Sequence, residues 1–339
     1  MPWVVFLKKI CYNKSAKRKP HVKTVLQARI YVIRKKKGRG FFMKREEFLL
    51  EKFSEIQNAY RENKMDFYAH PSVARIEPFQ IADGLYYVGD KKVCIHLIDA
   101  GEGLILIDSG YLGTTHLLID SIWRAGFDPK NVAWIIHTHG HFDHFGASDE
   151  FQRMFGTRLA ISRVDAEALR DKPQRAHINN TLYPFATIPN FDYEIEDGEI
   201  FEFGNVKLRC VLTPGHTQGT LSIFFDVTYE GRSYLAGMFG GAGVNAITLP
   251  YTVYNEHPKD APLQMLASVD KLLCEDVVVH LGNHPSNNRT LEKREQQLKE
   301  GGNPFIAPDS WCEFLTGLKA RINAMIAYNE ELETQIKSL

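Results

Sequence analysis

The stretch His139-Gly140-His141-Phe142-Asp143-His144, of the form H-x-H-x-D-H, constrains this chain more than any other feature. Three imidazoles and a carboxylate within six residues are donors suited to a transition-metal ion, zinc above all. Taken alone, the six residues also allow a histidine-rich loop with no metal. The flanks favour the metal reading. The apolar run Val132-Ala133-Trp134-Ile135-Ile136 predicts a buried strand ending at the motif, and residues 147–155 predict a short helix after it, with Phe151, Met154 and Phe155 on one side. A strand end handing over to a helix start is a rigid place from which to aim side chains.

Two isolated histidines lie downstream in turn sequences that follow predicted strands. His216 sits in Thr213-Pro214-Gly215-His216-Thr217 after residues 206–212, and His284 in Gly282-Asn283-His284-Pro285 after residues 276–281. Pro and Gly pin such turns, so both rings are expected to point into a cleft. Upstream, Gly103-Leu104-Ile105-Leu106-Ile107-Asp108-Ser109-Gly110 predicts another buried strand ending in a carboxylate.

In these residues the chain resembles the metallo-β-lactamase superfamily, over roughly residues 76–285 and with the motifs in the family's order. The resemblance implies an α+β fold, an αββα sandwich with the metal cleft along one edge. It implies two Zn²⁺ ions, one held by His139, His141 and His216, the other by Asp143, His144 and His284. It makes Asp108 a residue that orients the ligand loop without binding metal. One departure points to a subfamily. Where most hydrolases of the superfamily carry a metal-bridging Asp, and one subclass a Cys, this chain has Met238, whose thioether is a poor zinc ligand. The remaining set is similar to the third subclass of class B β-lactamases, and the missing Asp counts against a typical lactonase site. One carboxylate without a bridging Asp also suits zinc better than iron.

The implied chemistry is hydrolysis by a hydroxide shared between two zincs, the pKa of water falling from near 16 to about 7. The substrate carbonyl leans on the first zinc, and Asp143 accepts and relays a proton. A β-lactam amide is the leading substrate; another cyclic amide, lactone or ester hydrolysed inside the cell is the alternative. A non-catalytic metal-binding or interaction module is the reading from another class, and the intact donor set speaks against it. Ser286, Asn287 and Asn288 follow the last donor and are candidates to bind a substrate carboxylate.

The 339 residues suffice for a sizeable core. Residues 1–42 carry nine Lys and four Arg and no acid, which leaves 28 basic against 41 acidic residues, a net of −13, in the remainder. Such a body gives no encouragement to nucleic-acid binding. The basic leader reads as a disordered arm for nucleic acid or anionic lipid, as a targeting segment, or as an extension upstream of a functional protein starting at Met43. No run is apolar enough to span a bilayer, and no export signal is evident, so the expected compartment is the cytoplasm. Five scattered cysteines form no C-x-x-C pair and read as reduced thiols.

The expected organisation is a basic extension (1–42), a helical arm (43–65), the catalytic domain (66–300) and a C-terminal amphipathic helix (301–339). The arm puts Phe48, Leu49, Phe53, Ile56 and Tyr60 near one face; the last helix, capped by Ser310, has the stripe Leu315, Leu318, Ile322, Met325, Leu332 and Ile336, interrupted by Asn329. That stripe either packs on its own domain or makes a homodimer. Between the arms the pattern predicts strands at 79–88, 93–99, 103–108, 158–162, 199–203, 206–212, 220–226 and 233–236, with helices at 115–125 and 164–171. His137 and His280 read as buried structural histidines. His96, His116, His177 and His257 show no partner pattern. Gly240-Gly241-Ala242-Gly243 reads as a cleft-wall turn, since it lacks the Lys-Ser/Thr of a phosphate loop. Tyr183, Phe185 and Phe191 either cover the cleft or belong to the core.

Overall fold

The computed structural model describes residues 41–178 and 186–338. Helix α1 (Phe41–Ala69) leads into β1 (Phe79–Ala82), β2 (Leu85–Tyr87), β3 (His96–Asp99) and β4 (Leu104–Ile107). Then follow α2 (Thr115–Arg124), β5 (Val132–Ile136), α3 (Phe142–Phe145), α4 (Ser148–Phe155), β6 (Arg158–Ser162), α5 (Arg163–Asp171) and β7 (Tyr193–Ile195). The second half comprises β8 (Ile200–Phe203), β9 (Val206–Leu212), β10 (Leu221–Tyr229), β11 (Arg232–Met238), α6 (Leu249–Tyr254), α7 (Ala261–Leu272), β12 (Val279–Leu281), α8 (Pro285–Asn288), α9 (Thr290–Glu300) and α10 (Ser310–Lys337). The basic leader up to residue 40, with Tyr183 and Phe185, lies outside the described residues.

Seven strands form one sheet in the order β1-β2-β3-β4-β5-β6-β7, and five form the other in the order β12-β11-β10-β9-β8. Pairing is antiparallel from β1 to β4 and parallel from β4 to β7. In the second sheet only β11 and β12 run parallel. Alternation along the strands explains the layering. In β4, Ile105 and Ile107 join the core between the sheets, while Leu104 and Leu106 pack outward on Leu118, Ile122 and Phe151 of the covering helices. On the far side, Phe224 of β10 meets Met265 and Val269 of α7 and Trp311, Leu315 and Leu318 of α10. Helix, sheet, sheet and helix are thus stacked as an αββα sandwich.

Two expectations need correction, and one open alternative is decided. Residues 79–88 are a hairpin, not one strand: Asp83-Gly84 turns the chain, Gly84 has φ +69°, and Ala82 pairs with Leu85. Met154 leaves the apolar side of its helix and is 56% exposed, while Phe151 is fully buried. Phe191 packs its ring on His137 at 5.3 Å and belongs to the core.

The C-terminal stripe is spent within the chain: Leu315, Leu318, Ile322, Leu332 and Ile336 are all buried. Asn329, which interrupts it, accepts from the Leu249 N–H at 2.7 Å and donates to the Ile247 carbonyl at 2.9 Å. The polar break is therefore a brace on the start of α6. Helix α1 is no free arm either, because Leu49 packs with Leu249, Leu332 and Ile336, and Leu50 and Phe53 with Tyr251 and Tyr254.

Candidate metal centre

The site is built where strands of both sheets end. Asp108 follows β4, adopts φ +62°, and is buried. Its Oδ1 accepts the Thr138 N–H at 2.8 Å; its Oδ2 accepts the Thr138 hydroxyl at 2.9 Å and faces His144 Nδ1 at 2.7 Å. One carboxylate thus fixes the loop after β5 and turns the His144 ring so that its Nε2 faces away from Asp108.

A second carboxylate, overlooked in the sequence because it reads as an ordinary helix residue, ties two loops together. Asp165 of α5 accepts from the Gly140 N–H (2.8 Å), the Gly219 N–H (2.8 Å) and the Thr217 hydroxyl (2.8 Å). It joins the loop of His139 and His141 to the turn of His216. His257 and His96 brace further turns by bonding the carbonyls of Gly215 and Gly282, each at 3.0 Å. The glycines at 241 and 243 admit the His216 ring, since a Cβ there would lie 2.8 and 2.9 Å from its atoms. The segment is the expected cleft wall, not a phosphate loop.

These supports bring the six expected donors into two groups. Donor atoms of His139, His141 and His216 lie within 4.8 Å of one another, as do those of Asp143, His144 and His284. The first three rings stand 4.6–4.7 Å apart, centroid to centroid. Hydrogen bonds decide which nitrogen each ring offers. His216 Nδ1 bonds the Gly243 carbonyl at 2.7 Å and His284 Nδ1 the Lys92 carbonyl at 2.8 Å, leaving Nε2 in both. His141 Nε2 lies 3.1 Å from the Tyr251 hydroxyl, leaving Nδ1. The Nε2 atoms of His139 and His144 are buried without any hydrogen-bond partner. Orphaned nitrogens of this kind, converging with a carboxylate, fit a bound cation.

The electrostatics agree. Burial, then the neighbouring imidazoles, push His139 and His141 well below the usual histidine range. Burial takes His216 to about 3. Neutral imidazole is the form that ligates. Burial opposes charge on Asp143, yet His144, His284 and Lys64 hold its carboxyl down at about 2, an anion at any working pH. His144 goes the other way: burial opposes its charge, but Asp108 and Asp143 raise it.

Both groups border a cavity of about 320 Å³. Ser286 and Asn287 line it as well, and Asn287 commits its Oδ1 to the His284 N–H at 3.0 Å. Asn288 is withdrawn: it is buried and donates to the His280 carbonyl. Met238 lies in the core between the sheets, 1% exposed, paired with Ile223 and Leu281. His137 is structural, between the Ala160 carbonyl and Ser148; His280 is a buried neighbour of Ser310; His116 is exposed on α2. Missed at the site were His177 and Tyr251, which stack at 5.0 Å beside His141 and share a hydrogen bond. No spacing signal links residues so far apart in the chain.

A family model described as the metallo-beta-lactamase superfamily matches residues 89–228. Over that segment the chain is similar to the metallo-β-lactamase superfamily. Among solved structures, a subclass B3 metallo-β-lactamase of Bradyrhizobium japonicum superposes with a TM-score of 0.68 at 26% identity, over 76% of this chain and 96% of that one. A metallo-β-lactamase from Legionella gormanii gives 0.69 at 25% identity, over 76% and 98%. An N-acyl homoserine lactonase of a Bacillus species is 26% identical over 165 residues, 42% of this chain. The chain spans 61% of that lactonase's length. Among the described residues no helix is long and apolar enough to cross a membrane.

Proposed function

We propose that the protein is a zinc-dependent hydrolase that opens a cyclic amide, with β-lactam hydrolysis as the first reading. The observation that carries it is the pair of donor triads with orphaned nitrogens beside a small-molecule cavity. His139, His141 and His216 hold one ion and Asp143, His144 and His284 the other, a nitrogen and oxygen set suited to zinc. When bound, such ions polarise a carbonyl and lower the pKa of a water. Asp108 keeps His144 and Thr138 in register, as second partners of metal-binding histidines do. Asp143, 3.7 Å from the Nε2 of both His144 and His284, takes the proton released as water attacks and passes it to the leaving nitrogen. Ser286 and the amide of Asn287 contact the substrate's polar end.

A lactone is the second reading, favoured by the match to N-acyl homoserine lactonase. The test is hydrolysis of a chromogenic cephalosporin and of an N-acyl homoserine lactone, before chelation, after it, and after zinc is returned. Zinc-restored cephalosporin turnover supports the first reading; zinc-restored lactone turnover alone moves the assignment to the second. No turnover of either, with zinc bound, removes both. The compartment proposed is the cytoplasm. The apolar stripe that would have made a homodimer through α10 is instead buried within the chain, and light scattering on the intact chain tests for a dimer.

A further inference from the structure

The cavity is walled partly by two helices outside the matched segment 89–228: α1 contributes Phe53, Ile56, Gln57 and Lys64, and α10 contributes Arg321. Its charges are uneven. Among the described lining residues Asp143 is the one carboxylate, and it belongs to the donor group; Lys64 and Arg321 are cations. Beyond residue 42 the chain is net −13, so this wall runs against the sign of the body. Arg321 makes no ion pair with any described residue. Lys64 is positioned by donating to the Tyr111 hydroxyl at 2.6 Å, close enough to Asp143 for each to stabilise the other's charge. A guanidinium at a cleft rim with no protein carboxylate is a ready partner for an oxyanion. Phe53, Ile56 and Ala242 add apolar surface to the same cavity.

We propose that Lys64 and Arg321 form an anion-reading frame over the donor groups, so that the molecules this cleft takes carry a carboxylate together with an apolar group. That those molecules are substrates rests on the hydrolase reading; the frame itself does not. The frame also sorts the two readings of the reaction. Cephalosporins carry a carboxylate, whereas an N-acyl homoserine lactone is uncharged and offers the two cations nothing.

The test is calorimetric binding of phenylacetylglycine and of its neutral methyl ester to the purified zinc-loaded protein, to R321Q and to K64Q. Wild type should bind the acid about tenfold or more tighter than the ester. Each substitution should cut acid affinity about tenfold and leave ester affinity unchanged, as expected for one charge-assisted hydrogen bond. The acid's advantage should shrink with added salt. Arg321 is exposed, so R321Q keeps the fold and carries the test alone if K64Q loses stability. An acid preference unchanged in both variants means that the metals alone read the carboxylate, and this overturns the frame. Equal binding of acid and ester by wild type overturns it too. Cephalosporin turnover in the same preparations reports the other claim separately. Inert protein with a variant-sensitive acid preference keeps the frame and removes the hydrolase; active variants with unaltered KM do the reverse.

Discussion

In the proposed mechanism Asp143 is the residue on which the chemistry turns, and Asp108 the residue that makes it usable. Asp143 is the carboxylate of the second donor group and the proposed carrier of the proton. Asp143→Ala is therefore expected to lose one of two zinc equivalents by elemental analysis, and more than about 100-fold in turnover, together. Full activity with one zinc would remove the assignment. Asp108→Ala should act through His144 and Thr138, weakening zinc by about 10–100-fold in chelator competition while the first donor group still loads. Buried histidines add a pH signature. Burial holds His96 and His137 at about 4, so below about 6.5 the unfolded chain takes up protons that the folded chain refuses. The metal-free protein should lose stability as pH falls from about 6.5 to about 4, by up to about 3 kcal/mol for each. His144, raised by Asp108, opposes this as one group, whereas His139, His141, His216 and His280 are lowered as well and add to the loss. Urea midpoints that match at pH 7 and pH 4.5 would contradict this balance.

At the scale of elements, the site is a set of loops held together by a few polar staples. Asp165 on α5 binds both the His139 loop and the His216 turn. Asp165→Ala should weaken zinc at the first donor group about tenfold or more, and cost about 3 kcal/mol in stability; a variant that keeps wild-type affinity would make the staple incidental. Asn329→Ala should cost about 2 kcal/mol by freeing two backbone groups at the start of α6, seen as a lower urea midpoint. The six expected donors were legible because four fall in one H-x-H-x-D-H motif after β5, and His216 and His284 in Pro/Gly turns after β9 and β12. Asp165, Tyr251 and His177 were not, because their roles arise from contacts between segments far apart in sequence. Periodicity marks which face of a helix is apolar, but not what covers that face. For that reason α1 and α10 read as appendages although they wall the cleft. The hairpin at Asp83-Gly84 was legible in principle, since Asp-Gly between apolar runs is a turn signal.

At the scale of the whole molecule, two sheets back to back bring one ligand loop from the first and two turns from the second to a common edge. Helices from both ends of the described chain then close over that edge. The first sheet alone holds His139, His141, Asp143 and His144 but lacks a third donor in either group, so metal binding should be as cooperative as the sandwich itself. The metal-loaded protein should melt at a temperature that rises with free zinc, because an ion bound only by the folded state stabilises it. The most direct test is to titrate zinc into metal-free protein while following chromogenic cephalosporin hydrolysis, alongside Asp143→Ala. Turnover should rise with added zinc and level off at two equivalents in the wild type, and stay near background in the variant. Turnover that ignores zinc, or none at two bound equivalents with any cyclic amide or lactone, would contradict the account.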